Sequence, residues 1–208
     1  PPRSTLFPYT TLFRSNFKNI SFSGPEIDDF ETFNLLPQYL RDFCLKKNGF
    51  ILRTGLIHIR GCVKKPDWHS LKEIWYGGNK LSDLFQSIKT DDIPIGQDCL
   101  GNQFILRNDI LHLLNSEFDV VDNLKIGFPQ FIEEMSDLVE EDLDVKKMQN
   151  VILKPGQLIN VDPPLAIKSI IGYSFKAIDA IEQIKNLSNL AKLMKKGLDK
   201  DLLNMNLN

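Results

Sequence analysis

The stretch from Asn102 to Leu114 restricts this chain more than any other. Two apolar runs, Asn102 to Leu106 and Ile110 to Leu114, are separated by a short link containing Asn108-Asp109. Asn and Asp tolerate the left-handed backbone that a tight hairpin demands, so the runs are expected to pair antiparallel. A lone hairpin is unstable in water and needs further strands or a packed helix. Further strands are expected at Phe50 to Leu52 and Leu56 to Arg60, around a Thr54-Gly55 turn, and at Asp119 to Val121. Ile93-Pro94-Ile95 reads as a short strand that its proline confines to an edge or a strand start.

The helical signals surround these strands. Phe33, Leu36, Leu40, Phe43 and Cys44 recur at helical spacing. Pro37 is tolerated only in a first turn, which predicts a helix from about Pro37 to Lys47, ended by Asn48-Gly49. Leu81, Leu84, Phe85 and Ile88 suit a short helix. Phe128, Phe131, Ile132, Met135, Leu138 and Val139 fill one stripe of an amphipathic helix and are expected to be buried. Residues 16–30 and 61–79 read as loop. Val151 to Val161 reads as extended with a turn at Pro155-Gly156, and Asp162 as the N-cap of a helix entered through Pro163-Pro164. Residues 165–172 fit helix or strand. A last helix is expected from about Phe175 to Lys196. The fold class is therefore α+β: a mostly antiparallel sheet with packed helices, plus a C-terminal helical extension. The expected division is a domain at 16–145 and an extension at 146–208 that ends in an amphipathic helix.

Residues 1–15, from Pro1 to Ser15, show no sustained period, and Pro8 interrupts their one apolar run. They resemble a one-frame translation of a common sequencing-library adaptor oligonucleotide. They are expected to be an artefactual tail outside the fold, one that would hide any leader peptide.

Charge and cysteine usage narrow the class of function. The net charge of -2 gives no basic excess of the kind nucleic-acid binding uses. No run reaches the ~18 apolar residues of a membrane span. Cys44, Cys62 and Cys99 form no CxxC pair, which fits reduced thiols in a cytosol. The expected location is cytoplasmic.

Several strings also resemble, in order, the motifs of the SUKH superfamily: Leu36-Pro37, Phe43 and Asn48-Gly49; then Ile93-Pro94-Ile95-Gly96-Gln97-Asp98 with Gly101-Asn102; then Phe128-Pro129-Gln130-Phe131-Ile132. They span about residues 31–140. The resemblance implies a mostly antiparallel sheet with helices packed on it and a non-enzymatic binding role. Members of that superfamily include a fungal regulator of cell-wall synthesis and bacterial proteins that neutralise toxins delivered by neighbouring cells. The leading expectation is an immunity-type protein that blocks a toxin domain by stoichiometric binding. The alternatives are a regulatory scaffold in cell-wall or envelope biology and, from a different class, an uncharacterised hydrolase.

No catalytic residue, metal ligand or cofactor is assigned. There is no Gly-x-Ser-x-Gly elbow and no phosphate loop. Cys62 with His69 lacks the rest of a four-ligand set. His58 and His112 read as half-exposed strand residues. Asp98 reads as a turn residue bonding nearby amides, with Gly101 supplying a positive φ. Trp68, Trp75 and Tyr76, in a loop-rich stretch, are either lids of the core or contact anchors for a protein partner. Asp91 and Asp92 precede a predicted edge strand, where side chains project outward; they are either an acidic docking pair or residues that end the preceding helix and keep the edge soluble. A second acidic run, from Glu133 to Asp144, is a solvated helix face or another such patch.

Overall fold

The computed structural model describes residues 20–142, 151–167 and 172–205. Residues 1–15 lie outside these, as do Leu138 and Val139 where side chains are concerned. Seven strands form one sheet: β1 (Ile20–Ser23), β2 (Phe50–Leu52), β3 (Ile57–Ile59), β4 (Ile93–Asp98), β5 (Gln103–Arg107), β6 (Ile110–Asn115) and β7 (Val120–Asn123). Their spatial order is their chain order, and every neighbour is antiparallel. The α+β class expected above is what the chain adopts.

The hairpin at the centre of the sequence argument forms as expected. Gln103 pairs with Leu114 and Arg107 with Ile110, and Asn108 and Asp109 both take positive φ, 50° and 62°. Positive φ at both central residues matches the right-handed twist of the flanking strands. Ile93-Pro94-Ile95 opens β4, but β4 is the middle strand of seven and not an edge. Pro94 is tolerated there because pairing to β3 reaches only Gly96, and the register to β5 shifts between Pro94 and Gly96.

Alternation along the strands divides the core in two. One face carries Phe50, Leu52, Ile57, Ile59, Phe104, Leu106 and Leu111. It packs against α2 (Gln38–Lys46) through Leu40 and Phe43, and against α5 (Phe128–Asp142) through Phe128, Phe131, Ile132 and Met135. All four of those α5 side chains are buried, as their spacing predicted. Short α1 (Phe30–Leu35) precedes α2 and is N-capped by Asp29. The other face carries Ile105 and Leu114. It packs against α3 (Leu71–Trp75), α4 (Leu81–Leu84) and α6 (Ala180–Met205) through Ile74, Leu81 and Ile184.

The C-terminal segment departs most from expectation. Phe175 and Ile178 lie on a strand, β9 (Ser174–Asp179), which pairs antiparallel with β8 (Gln157–Asp162). The helix α6 starts only at Ala180, where the Asp179 carboxylate accepts from the Ile181 and Glu182 amides. Asp162 ends β8 and caps no helix. Leu153, Ile159 and Val161 join the first core cluster, while Leu158, Ala180 and Ile184 join the second.

Candidate functional site

The sheet centre carries polar residues on the face that packs against α3. Alternation puts His58, Gln97 and Gln103 side by side on β3, β4 and β5. Arg60, just past β3, reaches over them. Its guanidinium donates to Pro94 O at 2.9 Å, Gly96 O at 3.1 Å, Gln97 Oε1 at 2.6 Å and Gln103 Oε1 at 2.7 Å. Burial lowers the Arg60 pKa to about 9, so the side chain stays charged near neutrality. His58 Nε2 lies 2.8 Å from His69 Nδ1, and His69 Nε2 lies 3.2 Å from Asn48 O. A carbonyl can only accept, so His69 donates through Nε2 and receives the His58 proton at Nδ1. Gly24 and Gly61 flank this contact, and a Cβ on either would strike both Asn48 O and His69 Nε2. Burial, then His69 and Arg60, hold His58 well below the usual imidazole range. His69 falls to about 4, mainly through burial and with Arg60 pushing the same way, against the bond to Asn48.

His58 and Gln97 line a cavity of about 210 Å³ closed by Leu153, Pro155 and Gln157. Ser21 also lines it, but its hydroxyl donates to Ile51 O, and no carboxylate is among the lining residues. The network holds the middle strands together by hydrogen bonds. Both histidines are buried neutral bases, the reverse of the half-exposed strand position expected for His58.

A second, larger concavity of about 510 Å³ opens between α1 and α3. Asp28, Asp29, Glu31 and Glu73 bring four carboxylates to it, against the ammonium groups of Lys64 and Lys72. Asp29 is committed to capping α1. Glu31 shares one oxygen with Lys72 at 2.7 Å, and Asp28 accepts from the Lys64 amide at 2.7 Å. Glu73 accepts from Asn79 at 2.6 Å. Asp29 is also buried, so the carboxylates open to the groove are those of Asp28, Glu31 and Glu73. Phe30, 63% exposed, stands at the same opening.

The residues singled out from sequence separate into three groups. Trp68 is a lid: its ring meets Phe22, His58 and His69 at 5.1–5.4 Å, with Gly156 packed against it. Trp75 and Tyr76 sit edge to face at the C-terminal end of α3, half-buried, and the Tyr76 hydroxyl lies 2.6 Å from Thr32 Oγ1 on α1. Tyr76 therefore ties α3 to α1 beside the acidic groove. Asp91 is exposed. Asp92 is not an outward carboxylate: it is 2% exposed and turned inward onto Arg107. The stretch 61–79 is also not all loop, since α3 occupies Leu71–Trp75 with Ser70 as its N-cap. Asp98 is the turn residue expected, bonding the Leu100 and Asn102 amides, with Gly101 at φ +94°. The acidic groove itself was missed. Asp28 and Glu31 lie more than forty residues from Glu73, and only the packing of α1 on α3 joins them.

Among the described residues, no helix is long and apolar enough to cross a membrane. No protein-family model matches the chain, and no curated protein matches it either. Among solved structures, the crystal structure of Atu4351 from Agrobacterium tumefaciens is similar, with a TM-score of 0.50 and 16% sequence identity. The match covers 81% of this chain and 85% of that one. At that identity the likeness concerns the fold alone.

Proposed function

We propose that this chain is a non-enzymatic protein-binding module of the immunity type, which blocks a basic toxin domain by docking it in the acidic groove between α1 and α3. The carrying observation is that groove: three open carboxylates, Asp28, Glu31 and Glu73, against Lys64 and Lys72, with an exposed phenyl ring at its opening. Carboxylates set around a concave surface steer and orient a cationic partner, and an aromatic anchor adds desolvated contact area. The SUKH resemblance of residues 31–140 supports the same mode of action, with a cytoplasmic location. Asp92 plays no part in this docking.

The test is affinity capture from the source cells with the unaltered chain and with Asp28→Lys/Glu31→Lys, followed by mass-spectrometric identification. The expected result is a basic protein retained by the first and lost by the second. Capture of the same proteins by both would overturn the groove as the docking site. Turnover of a substrate, dependent on His58, would instead favour a hydrolase.

A further inference from the structure

The outer face of α6 carries a row of cations. Lys185, Lys192 and Lys196 stand at helical spacing (i, i+7, i+11), so they share one side of the helix, and all three are exposed. The opposite side, through Ile184, Leu187 and Ala191, is buried. From Lys185 to Lys196 the row spans about 16 Å at ~1.5 Å of rise per residue. Among the described side chains of α6, Glu182 is the one carboxylate. None of the three lysines has an ion-pair partner among the described residues. Beside the row, Leu193 is 67% exposed.

The acidic groove complements that face in charge and in surface. Of its open carboxylates, Glu31 is paired with Lys72. Asp28 instead accepts from the Lys64 backbone amide, and Glu73 from the Asn79 side-chain amide, neither of them a cation. Two negative charges are thus left without an ammonium partner among the described residues, next to the exposed ring of Phe30. The α6 face offers the matching set: ammonium groups for the carboxylates and an exposed leucine for the ring. We propose that the α6 lysine face of a second copy docks in the groove, a head-to-tail self-association that a basic partner displaces. This rests on the reading of the groove as a docking site for cations. The contact is heterologous, groove against helix, so every copy has one of each to offer. A lysine row beside a leucine also suits an anionic lipid surface. The net charge of -2 and the carboxylates of the groove oppose approach to one and favour a second copy.

The test is sedimentation velocity of the full chain over a concentration series. Association is expected at low salt and should weaken at least about tenfold at about 0.3 M salt, where screening shortens the reach of the charges. Two variants neutralise one side each: Asp28→Asn/Glu73→Gln in the groove and Lys185→Gln/Lys192→Gln on the helix. Alone, each should associate at least about tenfold more weakly than the unaltered chain, with an unchanged melting temperature. Mixed, they should form a one-to-one pair that grows no further, because only one groove and one helix face remain intact. Affinity capture separates this inference from the reading of the groove: Lys185→Gln/Lys192→Gln should still retain the basic partner. A chain that is monomeric at every concentration, association unchanged by either variant, or variants that do not pair when mixed would overturn the self-association. So would a monomer that instead cosediments with vesicles of phosphatidylcholine and phosphatidylserine through Lys185 and Lys192.

Discussion

Arg107 grips Asp92 with two parallel hydrogen bonds, Nε to Oδ1 and Nη2 to Oδ2, each 2.7 Å long. The carboxylate side chain has no exposed surface, and it also accepts from the Lys89 amide. This two-pronged geometry is the strong form of an ion pair, and removing one partner strands the other charge. Asp92→Asn is expected to cost about 3 kcal/mol in urea unfolding. Asp91→Lys, at the exposed neighbour, should stay within about 0.5 kcal/mol of the unaltered chain. Equal effects would contradict the assignment of the two neighbours to inside and outside.

Phe131 offers a second stability test. Its ring is 1% exposed and meets Phe104 of the sheet at 4.7 Å between centroids. Phe131→Ala should destabilise by about 3–5 kcal/mol, because the enclosing side chains cannot collapse into the space. A cost below about 1 kcal/mol would mean that the α5 stripe is not core.

The stripe from Phe128 to Met135 and the Asn108-Asp109 turn were readable because their signals are local: a helical period and two residues suited to positive φ. The inward turn of Asp92 was not, since its reason is Arg107 at the end of β5, fifteen positions away. Phe175 and Ile178 fitted the period of the helix that follows, with no glycine or proline to separate strand from helix. The usable signal was Asp179, a good N-cap one residue before the helix starts. The His58–His69 contact depends on the packing of the 61–70 segment over the sheet, which no spacing in the chain announces.

The buried histidines predict a pH dependence with a defined sign. The folded-state pKa of His69 lies near 4, against 6.5 when exposed. Between these values the unfolded chain holds a proton that the folded chain lacks, so this group's contribution to stability falls as the pH drops from 6.5 to 4. Asp98 acts oppositely, because burial raises its pKa from 3.8 to about 6 against its hydrogen bonds from Asn102 and Leu100. The two partly cancel in the unaltered chain. His69→Gln isolates the first: its stability deficit at pH 7 should shrink by up to about 3 kcal/mol on acidification to pH 4, measured by urea unfolding. A deficit independent of pH would contradict a neutral, buried His69.

Docking through carboxylates at an open groove also predicts what salt does, because screening acts over about 8–10 Å at moderate ionic strength. The central measurement is the association rate of the captured partner as a function of ionic strength, for the unaltered chain and for Asp28→Lys/Glu31→Lys. The account predicts a rate that falls steeply with added salt and is at least about tenfold slower at low salt in the variant. A rate indifferent to salt and equal in the two proteins would contradict it.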